Sequence, residues 1–120
     1  MNWFKSNKSN LQWIELSSIN DLDKAIDVSQ NRPVLIFKHS TRCSISSMAK
    51  NRLEGRWEEN TTLETYFLDL ITNRDLSNDI AEQFKIEHQS PQILIIKDGK
   101  CIYTSSHNEI NYDKIKEKFF

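Results

Sequence analysis

The sequence predicts an α/β domain in which a mixed β-sheet lies between two layers of helices. Along its 120 residues, apolar runs of strand length alternate with apolar stripes at helical spacing. Val34-Leu35-Ile36-Phe37 and Ile93-Leu94-Ile95-Ile96 are continuous β-favouring runs, as in strands covered on both faces. Asp98-Gly99 separates two such segments, the usual chemistry of a two-residue hairpin.

Taken in order, the polar stretch 1–10 predicts a flexible arm, with Trp3 and Phe4 tucked against a domain spanning 11–120. Partial alternation from Leu11 to Leu16 predicts a short first strand. Ser17 and Ser18 offer N-cap hydroxyls to a helix carrying Ile19, Leu22 and Ile26, which Asn31-Arg32-Pro33 stops. Val34–Phe37 is the central strand. After Cys43, residues Ile45, Met48, Ala49, Leu53 and Trp57 make a helical stripe interrupted only by Gly55. Tyr66–Ile71 reads as a strand, and Leu76, Ile80, Ala81 and Phe84 as a helix with Thr72, Asn73 or Ser77 as its cap. Proline is tolerated at the first position of a strand, so Ser90-Pro91 marks the start of Gln92–Ile96. Beyond the hairpin come a strand over Cys101–Thr104 and a last helix with Tyr112, Ile115 and Phe119. The order β-α-β-α-β-α-β-β-α makes the early strands parallel through right-handed crossovers and the last pair antiparallel.

Composition narrows the function. With 38% hydrophobic residues, two Gly and two Pro, the chain can bury a core. Sixteen Lys+Arg against 17 Asp+Glu leave a formal charge of −1, so no general field draws nucleic acid or an anionic bilayer. The apolar runs fall far short of the roughly 20 residues that cross a bilayer. The first residues lack the apolar centre of a secretory signal, so a cytoplasmic protein is expected. Cys43 and Cys101 form no CxxC pair, and a structural disulfide is not expected in a reducing compartment.

In open α/β sheets chemistry gathers at the carboxyl ends of strands, and Cys43 falls where the central strand hands over to a helix. The thiolate is the nucleophile, yet a free thiol is only about 3% ionised near pH 7. A helix N-terminus, with Lys38, His39 and Arg42 close in sequence, supplies positive charge and donors. The competing reading is a small buried hydrophobe, against which the flanking Arg42, Ser44 and Ser46 argue. Ser46 stands three residues on, where a dithiol exchanger carries its resolving cysteine. What remains is one-thiol exchange: Cys43 attacks a mixed disulfide, keeps one half, and waits for an outside thiol. Ser46 then either donates toward the sulfur or fills the first turn of the helix.

Three segments carry a resemblance: Val34 through Ser46 with its Thr41-Arg42-Cys43 step, His88-Gln89-Ser90-Pro91-Gln92, and Lys97-Asp98-Gly99-Lys100. From about Leu11 to the end the chain resembles the monothiol bacilliredoxins of the bacillithiol system. The resemblance implies a thioredoxin-like three-layer α/β/α sandwich and a cytoplasmic thiol-disulfide oxidoreductase that removes bacillithiol from protein mixed disulfides. It implies bacillithiol as co-substrate with no tightly bound cofactor, and bacillithiolated clients and a low-molecular-weight thiol as partners; a monomer is the expectation, though the sequence itself leaves the oligomeric state open. Cys43 matches the family nucleophile, and Ser90-Pro91 the cis-proline loop that faces it. Thr41, Arg42, Ser44, Gln89, Ser90 and Pro91 are the implied substrate-binding residues, with His39 and Ser46 as tuning groups. Many members carry Pro directly after the nucleophile, where this chain has Ser44. Bacillithiol carries carboxylates, which Arg42 can grip by two parallel N–H bonds; Lys38 reads as an ordinary solvated charge.

Cys101 reads as an inert packing residue. His39, His88 and His107 show no zinc-like spacing, so no metal is expected; His39 and His88 read as surface hydrogen-bonding groups beside the site. Trp13, Trp57, Phe67 and Phe84 belong to the core, and Lys114, Lys116, Glu117 and Lys118 to a solvated face. Two rival functions remain. Cys43-Ser44-Ile45-Ser46 also resembles the Cys-x-x-Ser of monothiol glutaredoxins that bridge an iron-sulfur cluster, and a thioredoxin-like adaptor would hold peptides beside Pro91 without catalysis.

Overall fold

The computed structural model describes residues 11–58 and 62–119; the arm expected over 1–10 lies outside the described residues. Five strands, β1 (Ile14–Glu15), β2 (Val34–His39), β3 (Glu64–Asp69), β4 (Gln92–Lys97) and β5 (Lys100–Ser106), form one sheet in the order β1-β3-β2-β4-β5. β1, β3 and β2 run parallel, while β2–β4 and β4–β5 are antiparallel. Helices α1 (Ile19–Val28) and α3 (Arg74–Phe84) cover one face, and α2 (Ser44–Arg56) and α4 (Tyr112–Phe119) the other. A 3-10 turn over His107–Glu109 joins β5 to α4.

The two-residue period of the strands divides the core. Leu35 and Phe37 of β2 join Ile93 and Ile95 of β4 against Ala49, Leu53, Trp57, Tyr112 and Ile115. Val34 and Ile36 join Leu94 and Ile96 against Leu22, Ala25, Leu76 and Ile80. Each such buried side chain is worth about 1.5–3 kcal/mol of transfer free energy, which makes β2 and β4 the least dispensable strands.

Local chemistry sets the ends of the elements. Ser18 caps α1, its hydroxyl accepting from the Asp21 amide at 3.1 Å, a contact worth about 1 kcal/mol. At the hairpin, Asp98 (φ 54°) and Gly99 (φ 74°) both lie in the left-handed region, as a type I′ turn requires. Buried Ser29, at the end of α1, ties that turn down: its carbonyl accepts from Asp98 N at 2.8 Å and its hydroxyl from Gly99 N at 3.0 Å.

Boundaries differ from expectation at three places. The first strand pairs only over Ile14–Glu15 at the sheet edge. β3 runs two residues earlier than Tyr66–Ile71, because Asp69 Oδ1 accepts from Ile71 N at 3.0 Å and turns the chain into α3. In α2 the apolar stripe is buried over Ala49 and Leu53, and at Trp57 beyond the helix end, but not at its start: Ser46 is buried there, while Ile45 and Met48 are 53% and 60% exposed. The helix is therefore anchored by Ser46, Ala49 and Leu53, with Trp57 at its end, and it leaves two large apolar side chains in the open.

Candidate active site

Cys43 is the N-cap of α2, in extended backbone at φ −108° and ψ 120°. Its amide donates to Ser40 O at 3.1 Å and its carbonyl accepts from Ser47 N at 3.0 Å, closing the Ser40–Cys43 turn onto the helix. The half-buried thiol makes no capping hydrogen bond and forms no disulfide. Thr41, Arg42 and Ser44 beside it are exposed.

Lys38 pairs with Gln92 in the β2–β4 register, so the turn leaving β2 and the segment leading into β4 emerge from adjacent strand ends. That segment contains Gln89, Ser90 and Pro91, and its Ser90–Pro91 peptide bond is cis. Gln92 braces it from behind: its buried side chain donates to Glu87 O at 3.0 Å and accepts from Gln89 N at 3.4 Å. Among the described residues, Ser90 Oγ is buried without a hydrogen-bond partner.

His39 and Ser46 meet directly, Nδ1 to Oγ at 2.6 Å. Ser46 Oγ also accepts from Ser40 N at 3.1 Å, which leaves its proton for the histidine ring. Of the two roles considered for Ser46, filling the first turn is nearer the mark, but as a specific pin: it fastens the Ser40–Cys43 turn to α2. His39 is buried, stacked on Phe37 at 5.7 Å and tilted on Phe67 at 5.4 Å, not a surface group. Burial, reinforced by Lys50, holds its ring below the ordinary imidazole range, so it is neutral near pH 7 and fit to accept from Ser46.

The solvated reading of Lys38 is overturned. It continues the face of β2 that carries Val34 and Ile36, and it is 0% exposed. Its Nζ donates to Ser77 O of α3 at 3.2 Å and lies 3.4 Å from His88 Nδ1. Burial pushes its pKa down to about 8. His88, also close to Ser77 Oγ at 3.3 Å, is held below its ordinary range by burial, then by Lys38 and Arg74. Strand periodicity alone carried the signal for this cluster, since residue 38 follows 34 and 36 on one face.

Cys101 lies on β5 against the α1–α3 core, and burial pushes its thiol up. Among the described residues, no group of three His, Cys, Asp or Glu is placed to hold a metal ion, and no helix is long and apolar enough to cross a membrane.

A mixed sheet in this strand order, layered by helices, with a cysteine at the start of the helix after the central strand, defines a thioredoxin-fold protein. A solved structure described as a proposed oxidoreductase with a thioredoxin fold is 30% identical, with a TM-score of 0.73 over 87% of this chain and 90% of that one. Thioredoxins from Fasciola hepatica (22% identical, TM-score 0.65, 86% of this chain and 92% of that one) and Malassezia sympodialis (14%, 0.70, 91% and 89%) share the fold. The family described as monothiol bacilliredoxin BrxC matches residues 14–115, and the chain belongs to it. Its family and fold give it a thiol-redox role.

Proposed function

We propose that the protein is a one-cysteine thiol-disulfide oxidoreductase that removes bacillithiol from protein mixed disulfides. The observation that carries this is the Cys43 thiol at the N-cap of α2, with Ser46 committed to His39 and Ser40. In the first step the Cys43 thiolate attacks the bacillithiol sulfur of the mixed disulfide; the new S–S bond forms at Cys43 and the client leaves as its thiolate. A second low-molecular-weight thiol then attacks the adduct, freeing Cys43 and departing as a disulfide with bacillithiol. Ser46 offers no sulfur for an internal route and Cys101 is packed against the α1–α3 core, so an outside thiol clears the adduct.

The amide groups at the start of α2 favour negative charge on the attacking sulfur. Exposed Arg42 is suited to a carboxylate of the bacillithiol moiety, and Thr41, Ser44, Gln89, Ser90 and Pro91 to the substrate backbone around it. Bacillithiol serves as co-substrate with no tightly bound cofactor, and the protein works as a cytoplasmic monomer. The test is to mix a bacillithiol-capped client with wild type and Cys43→Ser and follow intact mass. Wild type should gain one bacillithiol as the client loses it, and Cys43→Ser should gain none. A wild type that stays unmodified beside a fully capped client would overturn the reading.

A further inference from the structure

A lysine ammonium buried without a carboxylate is costly, and nothing in the thiol chemistry above uses one. Among the described residues Lys38 forms no ion pair; its polar contacts are Ser77 O and His88 Nδ1. Even pushed down to about 8, it is mostly charged near pH 7. Fold stability alone does not call for a charge here: an apolar side chain of similar length would continue the Val34–Ile36 face with no desolvation cost. What the ammonium supplies, and a methyl cannot, is a directional hold on an acceptor.

That acceptor lies in the loop before Pro91. Lys38 can donate only to an unprotonated Nδ1, so His88 must carry its proton on Nε2 and be neutral. The charged groups acting on the ring are Lys38 from β2 and Arg74 from α3, both cations. A proton on Nδ1 would set a second charge 3.4 Å from the ammonium and break the contact. The loop then has two anchors: Gln92, which braces Glu87 and Gln89, and Lys38, which reaches through the sheet face to His88 and also holds the first turns of α3.

We propose that Lys38 is a positioning residue for the exchange at Cys43, holding neutral His88 so that Gln89, Ser90 and Pro91 meet the incoming mixed disulfide. This rests on the proposed reading of Cys43 as nucleophile and of the Pro91 segment as the substrate-facing loop. Lys38 acts through His88 and touches no reacting atom.

Four proteins test it: wild type, Lys38→Met, His88→Gln and His88→Leu. Each is assayed for thermal midpoint, for kcat and KM in bacillithiol removal from mildly acidic to mildly alkaline pH, and, where the ring is present, for His88 titration by NMR. Lys38→Met should fold with a midpoint at or above wild type, titrate His88 nearer the ordinary imidazole value, and raise KM about tenfold with kcat within about twofold. Wild type should show a KM that rises on acidification, as His88 takes up a proton; His88→Gln keeps an uncharged acceptor, so its KM should stay within about twofold of wild type near pH 7 and show no such rise. His88→Leu should behave as Lys38→Met. An unchanged KM in Lys38→Met, or an acid-side rise that persists in His88→Gln, would overturn the proposal. If wild type turns over while Lys38→Met matches it in KM and in His88 titration, the positioning role alone falls. If wild type takes no adduct, the function and the positioning role fall together, and the His88 titration then judges only the contact.

Discussion

The chain carries two free thiols, both partly buried, and the fold treats them in opposite ways. Cys43 terminates a turn and begins a helix, and its thiol makes no capping hydrogen bond. Cys101 lies within β5, packed beside the α1–α3 core, with its sulfur 3.4 Å from Tyr103 O. Burial pushes the Cys101 thiol up, so the form that attacks is the form its surroundings disfavour. On the proposed reading, the start of a helix carries the reactive thiol, and packing against the α1–α3 core makes the other inert. The largest expected effect breaks this contrast outright: Cys43→Ser should abolish adduct transfer, whereas Cys101→Ser should stay within about twofold of wild type, since its thiol lies outside the proposed path. Alkylation followed by peptide mass should label Cys43 first, with Cys101 gaining rate only above the ordinary thiol range.

A smaller effect tests what holds Cys43 in place. Ser46→Ala removes the oxygen shared by Ser40 N and His39 Nδ1 and leaves two groups short of a partner. Urea unfolding should show a loss of about 1–2 kcal/mol, and the Cys101 alkylation rate should not move. An unchanged stability would mean that the pin contributes nothing to the turn.

Much of this contrast was readable from the sequence, and the exceptions share a cause. The continuous apolar run Val34–Phe37, the Asp98-Gly99 pair and Pro91 at a strand start make the sheet legible, because each is a local rule that tertiary packing leaves intact. Lys38 departs from its sequence reading because period outweighs residue type there: a charged side chain at a strand end reads as solvated, but α3 lies over it. Ile45 and Met48 erred in the opposite direction. Their spacing is helical, but the inner face of α2 runs through Ser46, Ala49 and Leu53, which leaves both outside it. The Ser46–His39 contact spans seven residues across a turn, and no pairwise pattern in the sequence specifies it.

The neutral rings of His39 and His88 add a pH dependence to the region around Cys43 that Cys101 lacks. Both are held below their ordinary range, so on acidification below about 6.5 the unfolded chain takes up protons that the folded rings refuse. Stability should therefore fall as pH drops from about 6.5 through the lowered folded values, and it should be level above that range as far as these two groups are concerned. His39→Asn, whose Oδ1 can take the Ser46 proton in place of Nδ1, should flatten part of that slope in urea titrations at two pH values. An unaltered slope would show that His39 is not one of its sources.

The smallest expected effect concerns the residue after the nucleophile. Ser44 is the first residue of α2, where a proline fits because its φ is already helical and the missing N–H has no partner within the helix. Proline also restricts the residue before it to extended backbone, and Cys43 at φ −108° and ψ 120° already obeys that restriction. Ser44→Pro should therefore stabilise the fold by about 0.4–1 kcal/mol through the unfolded chain. The same change removes one N–H from the first turn of the helix that Cys43 begins, so Cys43 alkylation should slow by about two- to threefold while Cys101 is untouched. A faster Cys43 in Ser44→Pro would show that rigidity of the turn outweighs the donor count, and the contrast between the two thiols would then rest on geometry more than on charge.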